Sequence, residues 1–231
     1  MYGTFDVVYQ DVAGSTVQAY AIKRPNIPAP QKSMRRVYIP RRGDLYIDNE
    51  HYEDIVFDVE FNFHGDNIGT LFRSFKEWLL KSGNRQLAFT DDNTVFYKVK
   101  RIEFKTAERV AWKIKRQVVR FTCDPYTYLA TGLIVRGAGT FSNPTWCEAK
   151  PIYTITGNGQ KTLTVNSKTF VANVTTSMTI DVEREIAIGN NGQNQSDLVT
   201  GDYKNLILKT GSNTVSLNSG TLSVQPNWRT L

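Results

Sequence analysis

Residues 55–63 hold the clearest alternation in the chain. Ile55, Phe57, Val59, Phe61 and Phe63 alternate strictly with Val56, Asp58, Glu60 and Asn62. That pattern predicts a strand with one buried face. The period then changes. In 66–83, DNIGTLFRSFKEWLLKSG, the residues Ile68, Leu71, Phe72, Phe75, Trp78 and Leu79 recur at steps of three and four. This spacing predicts an amphipathic helix, 66–82. Arg73, Glu77 and Lys81 occupy its opposite face at i, i+4 spacing, where their signs attract. Asp66 is the expected N-cap, and Gly83 and Asn84 are the expected stop. An apolar face this wide and aromatic belongs against a sheet rather than in solvent. Burying Phe72, Phe75 and Trp78 there contributes about 1.5–3 kcal/mol for each side chain.

The remaining periodicity is that of strands. Residues 4–23 read as two strands around a turn at Ala13-Gly14-Ser15. Residues 25–33, PNIPAPQKS, carry too many prolines for a central strand and read as an extended arm or long loop. Asp48-Asn49-Glu50 reads as a turn. Strands follow at 85–90 and 95–104 around Asp91-Asp92-Asn93, and at 110–122, where Trp112, Ile114 and Val118 are apolar and Arg116-Gln117 looks irregular. Leu129 to Thr140 looks like a connector. From 141 onward the chain is rich in Thr, Asn, Ser and Gly and has almost no helix signal. Short strands read at 151–156, 161–165, 168–174, 177–183, 205–209, 213–217 and 221–225. Residues 189–201 read as a loop. Evenly spaced short strands with such turns predict a sandwich or jelly roll. The fold class is therefore mainly β with one helix.

Composition narrows the function classes. A chain of 231 residues that is 40% apolar supports a real core. No run of about 18 apolar residues occurs, so no membrane-spanning helix is expected. The N-terminus lacks the basic and then apolar order of a signal peptide. Two cysteines, Cys123 and Cys147, are too few for a disulfide framework or a thiolate metal site. The net charge of +6 invites a nucleic-acid reading. However, the basic residues are scattered, with Arg35, Arg36, Arg41 and Arg42 the densest group. Solvated faces and subunit contacts explain them better.

Candidate chemistry is sparse. The two histidines, His51 and His64, have no carboxylate partners at metal-ligand spacing. Walker, nucleophile-elbow and zinc-protease motifs do not occur. Asp58 and Glu60 share a strand face, but acidic solvent faces are far commoner than glycosidase pairs. Asp91, Asp92 and Asn93 suit a tight turn better than a cation. Trp146 and Trp228 could stack on a sugar ring or serve as core; Trp146 is the candidate sugar contact. The expectation is a protein without enzymatic activity, cofactor or metal.

The order of several motifs carries more information. Val37-Tyr38-Ile39-Pro40-Arg41-Arg42-Gly43-Asp44-Leu45 is followed by Tyr52-Glu53-Asp54-Ile55. Later come Trp78-Leu79 and Val119-Arg120-Phe121-Thr122-Cys123-Asp124-Pro125-Tyr126. In the second half stand Asn143-Pro144 and Lys150 to Gly159. Gly201-Asp202-Tyr203, Gly211-Ser212-Asn213 and Pro226-Asn227-Trp228-Arg229 close the series. In that order, across nearly the whole chain, they resemble the distal tail protein (Dit) family of phages with long, non-contractile tails. Arg41 stands where Gly is common in the family, and Lys204-Asn205 departs from the usual Pro.

The resemblance implies a β-sandwich or split-barrel N-terminal domain with one helix, residues 1–130. It implies a galectin-like C-terminal β-sandwich, residues 131–231, with the last strand either in that domain or back on the first. It further implies a homo-hexameric ring in the virion, at the distal end of the tail, assembled in the host cytoplasm. The implied partners are the major tail protein of the tube, the tail-associated hub or tip protein and the tape measure protein. DNA would pass through the ring without specific binding. A receptor-binding protein or a host-surface carbohydrate is a further implied contact. The segment with Pro28 and Pro30 and the basic segment with Arg35, Arg36, Arg41 and Arg42 are the candidates for an arm crossing to the neighbouring subunit, since ring contacts must close on themselves. The alternative is a carbohydrate-binding adhesion module that uses the C-terminal jelly roll.

Overall fold

The computed structural model describes residues 5–64, 66–111 and 114–231, with side chains at all of these except 64, 106–111 and 114. Trp112, expected in a strand, lies outside the described residues. The chain divides into two compact units, Met1–Thr127 with Leu231, and Tyr128–Thr230.

The first unit contains β1 (Val7–Tyr9), β2 (Val12–Ala13), β3 (Tyr20–Ala21), β4 (Lys32–Ile39), β5 (Gly43–Tyr52) and β6 (Ile55–His64). After these come α1 (Ile68–Leu80), β7 (Gln86–Phe89), β8 (Asp92–Ala111) and β9 (Ile114–Leu129). The main sheet runs β2-β1-β7-β8-β9-β6-β3. β6 and β9 pair antiparallel along their length, with Phe57 opposite Phe121 and Val59 opposite Val119. The alternating residues of β6 face inward as predicted: Ile55, Phe57, Val59, Phe61 and Phe63 are all buried.

The helix covers that aromatic face. Phe75 is fully buried and meets Phe61 and Phe63 edge-on, with ring centroids 5.0 and 4.8 Å apart. Trp78 meets Phe61 and Tyr9 edge-on as well. The helix starts one step later than expected: Asn67 holds the N-cap position, without a side-chain capping bond, and Lys81 ends the helix in an extended conformation. No ion pair joins Arg73, Glu77 and Lys81; the Arg73 guanidinium instead donates to Thr70 Oγ1.

Turns account for the other differences from expectation. β1 and β2 are joined by Gln10-Asp11, both left-handed with φ 52° and 63°, and Ala13-Gly14-Ser15 leads into a single 3-10 turn. That two-residue geometry is the one that follows strand twist, and it usually selects Asn-Gly. Asp48-Asn49-Glu50, expected to turn, lies inside β5. There Glu50 takes φ 60°, on the strand opposite the point where the β4–β5 register shifts between Lys32 and Met34.

The second unit contains β10 (Gly139–Asn143), β11 (Ile152–Thr156), β12 (Gly159–Val165), β13 (Lys168–Val174) and β14 (Ser177–Asp181). It continues with β15 (Ile186–Gly189), β16 (Val199–Thr200), β17 (Gly211–Leu217), β18 (Thr221–Gln225) and β19 (Arg229–Thr230). One sheet runs β10-β17-β12-β13-β16 and the other β15-β14-β11-β18. Tyr153, Ile155 and Ile180 from one sheet and Leu163, Phe170 and Val215 from the other form a single core. Two segments depart from the sequence reading. Residues 205–209 form a 3-10 turn and an isolated bridge, Ala149 to Leu208, instead of a strand. Within 189–201, expected as a loop, Ser196–Leu198 forms a 3-10 turn and Val199–Thr200 forms β16, with Asn194 Oδ1 accepting from the amide and hydroxyl of Ser196.

Candidate assembly surface and an outward tryptophan

β4 and β5 form a sheet of their own, an exposed two-stranded ribbon. Its register fixes which side chains share a face. Val37 lies opposite Leu45, Arg35 opposite Ile47 and Ile39 opposite Gly43, so one face carries four aliphatic side chains with Arg35. Met34, Arg36, Tyr38 and Tyr46 fall on the other face with Asp44 and Asp48. Both faces therefore carry apolar groups, and Tyr38 at 70% and Tyr46 at 60% are among the most exposed large side chains in the protein. A two-stranded hairpin without a covering layer is marginal in water.

Local chemistry holds the ribbon in register. Lys32 pairs with Asp48, Arg36 with Asp44 at 2.6 Å, and Asn49 donates to Ser33 Oγ at 3.1 Å. The hydrogen bond from Lys32 holds the Asp48 carboxyl below its usual range. At the tip the Arg42 amide donates to the Ile39 carbonyl at 3.0 Å, with Pro40 second and Arg41 third in the turn. Arg41 has φ 67° and Gly43 φ 83°. Proline second and a left-handed third residue mark a type II turn, whose third position favours glycine. Arg41 is thus strained at the position where the resembled family commonly has Gly.

The candidate arm residues separate into two segments. Pro28 and Pro30 lie in an extended strap without secondary structure, and Arg35, Arg36, Arg41 and Arg42 lie on the exposed ribbon. The exposed apolar residues of the ribbon, Tyr38, Leu45, Tyr46 and Ile47, are not arm candidates by the sequence reading. Their signal is that both phases of the alternation are apolar, which a half-buried strand would not show.

The two tryptophans of the second unit have opposite fates. Trp228 is buried against Phe141. Its carbonyl accepts from the Leu129 amide at 2.9 Å. Gly132 passes so close that a Cβ there would lie 2.4 Å from the Trp228 nitrogen. The neighbouring Arg229 donates from Nε to the Glu148 carbonyl at 2.8 Å. Trp146, by contrast, is 65% exposed. The loop beneath it is tied together by buried groups. Asn143 Nδ2 donates to the Cys147 carbonyl at 2.9 Å, and Asn143 Oδ1 accepts from the amide and hydroxyl of Thr145 at 3.0 and 2.8 Å.

The remaining candidates are structural. Asp58 takes a two-point hydrogen bond from Arg120, which holds its carboxyl below the usual range, and Glu60 faces Arg116 at 3.8 Å. Asp91 pairs with Arg24, and Asp92 Oδ1 accepts from the Thr94 hydroxyl at 2.7 Å. Both cysteines are buried, and burial pushes the Cys123 thiol up to about 12. Among the described residues no group of His, Cys, Asp and Glu is arranged to hold a metal ion, and no helix is long and apolar enough to cross a membrane.

No protein-family model and no curated protein matches this sequence. Among solved structures, the crystal structure of Dit from phage SPP1 superposes with a TM-score of 0.65 at 15% identity. The match covers 99% of this chain and 100% of that one. That protein is described as a paradigm of the hub adsorption apparatus in phages infecting Gram-positive bacteria. This chain has the Dit fold.

The segments through which the sequence resembles the Dit family have structural duties here. Cys123 is buried opposite Ile55 at the far end of the β6–β9 pairing. Asn213 is buried, with Oδ1 accepting from the Lys209 amide and Nδ2 donating to the carbonyls of Lys209 and Gly211. Asn227, Trp228 and Arg229 are all buried in the second unit. In this instance of the Dit fold those motifs specify turns and core closure.

Proposed function

We propose that this chain is a structural virion protein, a hexameric ring adaptor at the distal end of a long, non-contractile phage tail. In this reading the first unit forms the ring and continues the tube channel, through which DNA passes without specific contact. The ring meets the major tail protein on one side and the tail-associated hub or tip protein on the other, near the end of the tape measure protein. The protein performs no catalysis in this role. A Dit-like fold over the whole chain is the observation that carries the reading.

The ribbon formed by β4 and β5 supplies the means of assembly. Apolar side chains on both faces suit a segment laid between neighbouring copies, and the strap with Pro28 and Pro30 gives it reach. A ring is closed by heterologous contacts in which one surface of each copy meets a different surface of the next. The exposed arm is one of those two surfaces.

Multi-angle light scattering and negative-stain imaging of the full chain, alone and mixed with the tail-tube protein of the same phage, test this. Six-membered rings are expected in at least one sample. The double variant Leu45→Glu, Ile47→Glu should keep its melting temperature and lose the ring. Monomers in both wild-type samples, or rings that survive the double variant, would sink the assembly reading.

A further inference from the structure

Lys161 is an inward-facing lysine without a counter-ion. It stands in β12, where Lys161, Leu163 and Val165 share the buried phase, and it is only 8% exposed. Its Nζ donates one hydrogen bond, 3.0 Å to Ser219 Oγ, and makes no ion pair with any described residue. The sequence around it withholds a carboxylate. No Asp or Glu occurs between 149 and 180 or between 203 and 231. An ammonium group buried beside one neutral hydroxyl is costly, and methionine would fill the same space without that cost.

The topology places this ammonium between two turns. β11 and β18 pair in one sheet, and β12 and β17 pair in the other. Residues 157–158 cross from β11 to β12, and residues 218–220 cross from β17 to β18. Both crossings therefore lie at one end of the sandwich, next to the Thr156–Thr221 pair. They come close together: a Cβ on Gly220 would lie 2.5 Å from the Thr156 carbonyl oxygen. A Cβ on Gly157 would lie 2.9 Å from Lys161 Cε and 3.3 Å from Nζ, so this glycine leaves room for the end of the lysine. The run Gly157-Asn158-Gly159-Gln160-Lys161-Thr162 has the composition of a phosphate-cradling loop, but it joins two strands, and its lysine is delivered from a strand.

We infer that this corner is a binding site for a small oxyanion, a phosphate or carboxylate group held by Lys161 and Ser219. Donors without acceptors gather here. The ammonium has three N–H groups and spends one of them. Ser219 Oγ accepts that bond and keeps its own proton to donate. The amides of Asn158, Ser219 and Gly220, on the same two turns, donate to no described residue. The one acceptor side chain on the second turn, Asn218 Oδ1, is taken by the Thr162 amide at 3.0 Å. An oxyanion supplies the missing charge and accepts from ammonium and hydroxyl together. Backbone amides in turns commonly add to such sites. The site is carried by the second unit alone and does not depend on ring formation.

Calorimetric titration of the full chain at constant ionic strength tests this, with inorganic phosphate in one arm and acetate in the other. Saturable binding of at least one anion is expected, with a Kd of roughly 1 mM. Binding of phosphate alone assigns a phosphate group, of acetate alone a carboxylate, and of both a general oxyanion site. Lys161→Met should weaken binding at least about tenfold, and Ser219→Ala about fivefold. Lys168→Met, at an exposed lysine of the adjoining strand, should leave it unchanged. No saturable binding in either arm, binding indifferent to Lys161→Met, or an equal loss in Lys168→Met would overturn the assignment. Should Lys161→Met not fold, Ser219→Ala at an exposed turn decides alone, and an unchanged affinity there overturns it.

Discussion

The indole Nε1 of Trp78 donates a 3.1 Å hydrogen bond to the backbone carbonyl of Tyr9, 69 residues earlier in the chain. It ties the helix to β1 while the ring itself packs on Phe61. Trp78→Ala should cost about 3–5 kcal/mol of stability, since it leaves a cavity as well as an unpaired carbonyl. Trp78→Phe keeps most of the packing and should lose only about 1–3 kcal/mol for the buried bond. Urea unfolding of the three proteins checks this order. If Trp78→Ala kept the wild-type midpoint yet failed to assemble, the helix would be an interface and not a lid.

Gly132 makes a second test of the core. With a Cβ 2.4 Å from the Trp228 nitrogen, both backbones are fixed and something must shift. Gly132→Ala should destabilise the second unit by about 1–3 kcal/mol, as overpacking generally does. Amide exchange at Asn227, whose N–H donates to the Gly132 carbonyl, should rise with it. Unchanged exchange there would mean the loop yields without cost.

Arg41→Gly tests the turn at the arm's tip. A non-glycine residue held at φ 67° is strained by about 1–3 kcal/mol, and glycine removes that strain. Part of the gain is offset by glycine's freedom in the unfolded chain. The expected outcome is slower amide exchange along 35–47 without a change in global melting. Faster exchange in the variant would show that the arginine side chain, and not the backbone, sets the turn.

The Asp58–Arg120 pair predicts a pH dependence with a definite sign. Arg120 holds the folded carboxyl below 3.8, so the pair's contribution is present above that value. It is lost as pH falls through the lower folded value. Both side chains are exposed, which keeps the effect small. The difference in melting temperature between wild type and Arg120→Met should shrink between about pH 5 and pH 2. A gap that widened on acidification would contradict the pairing.

The fold was legible where period and burial agree. Ile55 to Phe63 alternate because one face meets the helix, and Phe75, Trp78 and Leu79 recur because that helix meets the sheet. Turns were legible only when the residue matched the backbone. Asn166-Ser167, the gap between the strands expected at 161–165 and 168–174, is a turn with φ 47° and 68°. Gln10, Asp11 and Arg41 adopt left-handed backbone with residues that do not advertise it, so neither turn is legible in the sequence. The arm's arginines were visible as a charge cluster. Its apolar residues were not, because alternation that is apolar in both phases resembles no half-buried strand. A cavity lined by Glu148, Glu185 and Lys209 is assembled from segments around 148, 185 and 204–209, and no local pattern could bring those together.

The β4–β5 ribbon has no core of its own, so its order is linked to whatever covers it. If neighbouring copies cover it, as proposed above, its protection becomes a matter of mass action: the more copies present, the larger the share of molecules with a finished arm. Folding of that segment and growth of the assembly would be one event, and dilution would undo both while leaving the rest of each copy intact.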